Sequence, residues 1–93
     1  MGEGAVRVVV WVAGRVQGVG FRWWTREQAE ELGLVGSATN LVDGRVRIVA
    51  EGAKSACEAL LDRLRSRSAP GRVHTVSEEW SDARADLRGF SLH

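Results

Sequence analysis

Residues 5–32, AVRVVVWVAGRVQGVGFRWWTREQAEEL, change from one hydrophobic period to another around a cluster of glycines. From Ala5 to Ala13 the apolar residues alternate between two faces, which predicts a β-strand. Both faces are largely apolar, which is typical of a strand inside a sheet. From Phe21 to Leu32 the apolar residues recur every three or four positions, which predicts an amphipathic helix. The glycines between these two elements are Gly14, Gly18 and Gly20.

The rest of the chain predicts further strands and a second helix. An Asp-Gly pair at Asp43 separates two alternating apolar segments, and this combination is a strong signal for a β-hairpin. The predicted elements are strands at Leu34–Leu41, Arg45–Glu51 and Val73–Trp80, a helix from Ala53 or Lys54, and, as an open alternative, a short fifth strand at Gly89–His93. The order β-α-β-β-α-β predicts an α+β, ferredoxin-like split βαβ sandwich, with two helices on one face of an antiparallel sheet.

Length and charge restrict the classes of protein to which this chain can belong. Its 93 residues suit one domain, residues 1–93, and do not suffice for two. The 13 basic and 12 acidic side chains nearly cancel, which argues against a nucleic-acid partner and against a polybasic membrane-surface protein. No signal peptide or membrane-spanning segment is evident, so we expect a cytoplasmic protein. The small size and the absence of a conspicuous apolar surface run favour a monomer.

Several kinds of catalytic site lack their residues in this sequence. The two histidines, His74 and His93, do not have the spacing of metal ligands. The motifs CxxC, HExxH and GxxxxGK[ST] are all missing. Cys57 is the single cysteine, so an internal disulfide is impossible, and we expect it to be a small core residue. We therefore expect no metal and no cofactor.

The loop from Gly14 to Gly20 has the features of an anion site. It joins a strand to a helix, and the start of a helix presents unpaired N–H groups with a partial positive charge. Glycines let such a backbone turn successive amides towards one tetrahedral anion, and Arg22 in the first helical turn could add a planar fork of donors. Spacing alone leaves the alternative open that the loop is an ordinary turn and Arg22 a solvated residue.

Two segments resemble the signatures of the acylphosphatase family. They are GRVQGVGFR at residues 14–22, and GSATN at residues 36–40 continued by DGRV at residues 43–46. The resemblance extends over most of the chain. It implies a ferredoxin-like fold and a small metal-independent hydrolase, which cleaves the carboxyl–phosphate bond of acyl phosphates to a carboxylate and inorganic phosphate.

The resemblance also implies a role for individual residues. Arg22 would bind the phosphate group together with loop amides, and Asn40 would position the attacking water. The amides in question are those of Val16, Gln17, Gly18, Val19 and Gly20. Inorganic phosphate or sulfate is expected to fit the same place. Asn40 is neutral, so it would orient water through hydrogen bonds rather than act as a base.

Two positions depart from the family pattern. Ser37 stands where the family usually has an aromatic residue, and Thr39 where it usually has a longer, often basic one. Both adjoin Asn40, so we expect that packing near the water, or contact with the acyl group, differs here. Of the adjacent Trp23 and Trp24, we expect one to pack inward, while contact of the other with the acyl group stays open.

Two other functions remain alternatives at this point. An RNA-recognition-type domain has the same element order, but it needs exposed aromatic residues on two central strands, and Trp11 is the one candidate. A non-catalytic acylphosphatase-like regulatory or carbamoyl-transfer domain would usually be part of a much longer protein. Because the chain ends with the fold, we expect the stand-alone enzyme.

Overall fold

The computed structural model describes residues 4–93, which form two helices packed on one five-stranded sheet. The elements are β1 Ala5–Arg15, α1 Phe21–Glu31, β2 Val35–Asn40, β3 Val46–Ala53, α2 Lys54–Arg65, β4 Arg72–Asp82 and β5 Phe90–Leu92. The predicted order is confirmed, and the open alternative of a fifth strand is realised. Neither described helix has the length and apolar character needed to cross a membrane.

The strands lie in the order β4-β1-β3-β2-β5, so β1 runs through the interior of the sheet as predicted. The pairs β1–β4, β1–β3 and β2–β3 are antiparallel, and β2 and β3 form the hairpin that the Asp-Gly pair predicts. The ferredoxin-like α+β fold is confirmed, with one correction. β5 pairs parallel with β2, so the sheet is mixed rather than antiparallel. The reason is that residues 83–89 cross the end of the sheet where β2 begins, and so enter β5 in the direction of β2.

The core lies between the sheet and the two helices. Alternate residues of β1, Val8, Val10 and Val12, are fully buried on the helix side. They belong to one apolar cluster with Phe21 and Ala29 of α1 and with Cys57, Leu60 and Leu64 of α2. The expectation that Cys57 is a core residue is confirmed. Burial of this continuous cluster stabilises the small domain through the hydrophobic effect.

A buried carboxylate fastens the crossing segment between β4 and β5. Glu51 at the end of β3 accepts hydrogen bonds from the Arg7 guanidinium at 2.7 Å and from the N–H groups of Arg84 and Ala85, each at 3.2 Å. Burial by itself would raise the pKa of Glu51, but these donors outweigh it and hold the pKa below its usual value. The charged carboxylate thus ties the start of β1 to the segment that leads into β5.

Candidate active site

The loop between β1 and α1 owes its shape to two glycines. Gly18 and Gly20 have φ angles of 74° and 83°, in the left-handed region that side chains disfavour, although a Cβ at either position would meet nothing within 4 Å. Gly20 is also the N-cap of α1, where no side chain caps the helix and no acidic residue lies in the first turn. The positive end of α1 is therefore left without a neutralising side chain.

Gly14 serves a different purpose from the other two. A Cβ at this position would lie 2.0 Å from the carbonyl oxygen of Arg72, at an irregularity in the pairing of β1 with β4. Gly14 therefore lets two strands approach closely and does not shape the loop itself. The sequence pattern groups the three glycines as one cluster, whereas the fold gives them two separate tasks.

The loop amides predicted to bind phosphate lie on an exposed stretch anchored at one end. Val16 is buried in the core, and the four residues after it, 17–20, are exposed. Within residues 4–93, no backbone or side-chain acceptor takes a hydrogen bond from the N–H groups of residues 17–20. Unpaired amides next to an uncapped helix start are the donors that an anion needs.

The side chain of Gln17 joins this loop to the β2–β3 hairpin. Its amide nitrogen donates to the carbonyl oxygens of Leu41 at 2.8 Å and Arg45 at 3.0 Å. Leu41 directly follows Asn40, so this contact sets the distance between the loop and the second predicted site residue. The family resemblance implies a role only for the backbone amide of Gln17. No local pattern reveals this contact, because its partners lie 24 and 28 residues away.

Arg22 and Asn40 meet at the main chain of His93. The main-chain oxygen of His93 accepts from the Arg22 guanidinium at 2.6 Å and from the backbone N–H of Asn40 at 3.0 Å. The N–H of His93 in turn donates to the Ala38 carbonyl at 2.9 Å, which continues the pairing of β5 with β2. The two residues predicted from separate motifs are thus joined through one oxygen atom.

The spacing of His93 argues against a metal ligand, and no pattern in the sequence predicts its place beside Arg22 and Asn40. His93 enters through β5, whose parallel pairing with β2 is a long-range event that periodicity does not report. The His93 imidazole is within hydrogen-bonding distance of the Ser91 hydroxyl, with Nε2 at 3.0 Å from Oγ. The contribution of His93 to Arg22 and Asn40 comes from its backbone.

Asn40 is the last residue of β2, and its side-chain oxygen lacks a partner. Oδ1 is buried, and no group in the described chain donates a hydrogen bond to it. A buried acceptor left unpaired costs about 1–3 kcal/mol, which a bound donor can offset. Asn40 therefore holds a polar group that is not used by the fold itself.

Ser37 and Thr39 do not share a face with Asn40. Successive residues of a strand point to opposite faces of the sheet. Ala38 is fully buried on the helix side, so Ser37 and Thr39 point to the other side. The effect of these two departures on packing near the water, or on contact with the acyl group, stays a prediction. They change the face of the sheet that the helices leave open.

The tryptophans beside Arg22 divide as expected. Trp24 is half-buried and packs against Phe21, with ring centroids 6.0 Å apart. Trp23 is exposed, and the Arg26 guanidinium lies 4.1 Å from the centre of its ring. Among residues 4–93, no group of three or more His, Cys, Asp or Glu side chains is arranged to hold a metal ion.

The sequence model of the acylphosphatase family matches residues 8–92. The chain belongs to the acylphosphatase family. It is 61% identical over 85 residues to an acylphosphatase of Thermobifida fusca, covering 91% of this chain and 93% of that protein. It is also similar to the crystal structure of acylphosphatase from Bacillus subtilis, with a TM-score of 0.85, 32% identity, and coverage of 95% of this chain and 98% of that one.

Membership of this family confirms the prediction that the protein hydrolyses acyl phosphates. The same fold also occurs inside a larger protein. The structure of T. kodakarensis HypF matches with a TM-score of 0.79 and 30% identity, over 92% of this chain but 11% of that one. The RNA-recognition alternative gains no support, because in the described central strands Trp11 is the sole aromatic residue and it is half-buried.

Proposed function

We propose that Arg22 and the amides of residues 16–20 bind the phosphoryl group of an acyl phosphate, while Asn40 orients the attacking water. The observation that carries this proposal is the shared contact of Arg22 and Asn40 with the main-chain oxygen of His93. This contact holds the Arg22 guanidinium and the backbone of Asn40 at one oxygen atom, beside the uncapped start of α1. A cation, free amides and a water-orienting group are what this reaction requires.

The chemistry needs no covalent intermediate. An acyl phosphate is a mixed anhydride with a carboxylate leaving group, so the phosphoryl group is already activated. Water attacks in line, and negative charge spreads over the equatorial oxygens of the phosphoryl group. The loop amides and Arg22 stabilise that charge. One guanidinium nitrogen of Arg22 is held by His93, and its remaining N–H donors have no partner among residues 4–93, so they can face phosphate oxygens.

Asn40 contributes by position and not by proton transfer. Its side chain is neutral at every working pH, so it orients water through hydrogen bonds. The proton of the water passes to the phosphate or to solvent. The His93 imidazole is not used, because the contact that matters comes from its main-chain oxygen.

The test is hydrolysis of benzoyl phosphate in the presence of a chelator, which should leave the rate unchanged. Arg22→Ala should lower kcat/KM by about 10³-fold, and Asn40→Ala should lower kcat by about 10²-fold with little change in KM. Arg26→Ala is the matched control for the first variant, because Arg26 lies one turn further along α1 over Trp23. Thr39→Ala, on the opposite sheet face, is the control for the second.

A further variant tests the proton route. His93→Ala keeps the main-chain oxygen and removes the imidazole, so it should retain nearly full activity with an unchanged pH profile. A loss comparable to that of Asn40→Ala would contradict the mechanism. So would a requirement for metal, or equal activity of wild type and Arg22→Ala.

Four broader statements are part of the proposal. The enzyme is a single domain over residues 1–93, a monomer, and cytoplasmic, and inorganic phosphate or sulfate competes with substrate. The near-complete mutual coverage with two acylphosphatases supports the single domain. Light scattering during gel filtration, and competition by phosphate against benzoyl phosphate, test the monomer and the shared site. A dimer, or non-competitive inhibition, would overturn them.

A further inference from the structure

A cavity of about 720 Å³ lies between the end of α2, residues 66–71 and the start of β4. We call it the basic cavity, because its charged lining residues are all basic or histidine. They are Arg65, Arg67, Arg72 and His74.

Ion pairing within the chain does not account for these charges. Arg65 is paired with Glu78 at 2.9 Å, but Arg67 and Arg72 have no acidic partner among the described residues. Arg72 also lies directly across from Arg15 in the pairing of β1 with β4. Like charges opposite each other in a sheet are destabilising unless an anion lies between or beside them. In a chain whose net charge is +1, this is a local excess of positive charge.

The helix dipole explains a part of this cluster. Cations near the C-terminal end of a helix are favourable, and Arg65 is the last residue of α2. Arg67 follows two residues later. Arg72 and Arg15, however, lie on strands, so the dipole does not account for them.

The basic cavity shares a wall with the glycine loop. A Cβ placed on Gly71 would lie 2.1 Å from the Arg15 carbonyl oxygen and 2.9 Å from a methyl group of Val19. The wall is also held in place locally. The Ser66 hydroxyl donates to the Arg63 carbonyl at 2.7 Å and accepts from the Ser68 N–H at 3.3 Å. The backbone that carries these exposed cations is therefore held beside the loop proposed to bind phosphate.

We propose that the basic cavity is a second anion-binding subsite, which takes a carboxylate or phosphate group through Arg67 and Arg72. Guanidinium groups match both kinds of anion with two parallel hydrogen bonds. The anion is either a distal charged group of the acyl phosphate or a separate ion beside the substrate. The first case deepens the proposed function, on which it rests, by naming acyl phosphates with a second negative charge as preferred substrates.

The first arm of the test compares two substrates that differ by one carboxylate, benzoyl phosphate and 4-carboxybenzoyl phosphate. In Arg67→Gln/Arg72→Gln the KM for the carboxylated substrate should rise about 3- to 10-fold at low salt, as expected for the loss of two exposed ion pairs. The KM for benzoyl phosphate should stay within about 2-fold, which also verifies folding. Each single variant should show a smaller rise of the same kind.

The matched control is Arg84→Gln/Arg88→Gln, which removes the same charge from the opposite end of the sheet. Both arginines are exposed and lie in the segment that crosses near the start of β1. The second arm titrates inorganic phosphate calorimetrically into an Arg22→Ala background, where the first site is weakened. Arg67→Gln/Arg72→Gln should reduce the remaining affinity about 3-fold or more.

A change in the first arm identifies the distal group of the substrate as the ligand, and a change in the second arm alone identifies a separate anion. If neither arm differs from the Arg84→Gln/Arg88→Gln control, the subsite does not exist. Activity of the wild type on benzoyl phosphate tests the proposed function by itself, so the two failures are distinguishable.

Discussion

Replacement of Glu51 by glutamine tests how strongly one buried carboxylate holds this fold. The side chain of Glu51 is 4% exposed, and that of its partner Arg7 is 14% exposed. Glu51→Gln keeps the size of the side chain, removes its charge, and puts an NH₂ donor where one acceptor oxygen was. The backbone N–H groups of Arg84 and Ala85 then compete for one remaining oxygen.

The expected loss of unfolding free energy is about 2–3 kcal/mol. A hydrogen bond to a charged group contributes about 1.5–3 kcal/mol, and breaking a buried ion pair costs about 3–5 kcal/mol. Arg7 keeps some access to water, so the lower part of this range applies. In a domain of this size the melting temperature should fall by about 10–20 °C.

The same carboxylate makes stability depend on pH. Burial opposes its charge, but hydrogen bonds outweigh burial, and the pKa of Glu51 in the folded state lies below its ordinary value of 4.5. The stabilisation is therefore present above that ordinary value and is lost as the pH falls through the lower, folded pKa. Urea unfolding followed by tryptophan fluorescence should show a full difference between wild type and Glu51→Gln at about pH 7, and a shrinking one towards about pH 3.

Glu79→Gln is the control for this experiment. Glu79 is exposed on β4 and its side chain makes no hydrogen bond or ion pair within the described chain, so its replacement should change stability by less than about 0.5 kcal/mol. If Glu51→Gln were as stable as this control at neutral pH, the buried pair would not hold the fold. A difference that stayed constant on acidification would refute the assignment of the effect to the charge.

Two further predictions concern the glycines and the cysteine. Gly14→Ala should lower the free energy of unfolding by more than about 2 kcal/mol, because its Cβ would lie 2.0 Å from the Arg72 carbonyl oxygen. Gly18→Ala, at a φ of 74° in open space, should lower the free energy of unfolding by about 1–2 kcal/mol and should mainly weaken phosphate binding. Equal unfolding curves for the two variants would contradict the different roles of the two glycines. Burial, with the charges of Glu51 and Glu58, raises the pKa of the Cys57 thiol to about 11, so a thiol reagent at about pH 8 should label it in urea but not in the native protein. Rapid labelling of the native chain would show that α2 opens readily.

Local signals in the sequence were sufficient to predict the helices and strands. The hydrophobic periods of β1 and α1, and the Asp-Gly turn at Asp43, depend on neighbouring residues. They can therefore be recognised without knowledge of long-range packing. Arg22 and Asn40 came from the resemblance of two motifs. Their chemical roles stay a proposal that kinetics must test.

Contacts between distant segments could not be predicted in this way. The parallel pairing of β5 with β2 follows from where the chain crosses the sheet, and it brings the main-chain oxygen of His93 to Arg22 and Asn40. The Gln17 side chain likewise finds its acceptors only after the hairpin has docked beside the loop. Such partners are chosen by three-dimensional proximity, which no local period encodes.

The glycine-rich stretch shows where sequence stops and tertiary structure begins. The residues themselves determined that a strand would end, that a helix would start without a side-chain cap, and that an arginine would lie in its first turn. The position of β4 decided that Gly14 allows the close approach of two paired strands, whereas Gly18 and Gly20 shape the loop. The physical reason is that a steric clash or a hydrogen bond needs a second atom nearby, and the fold alone supplies that atom.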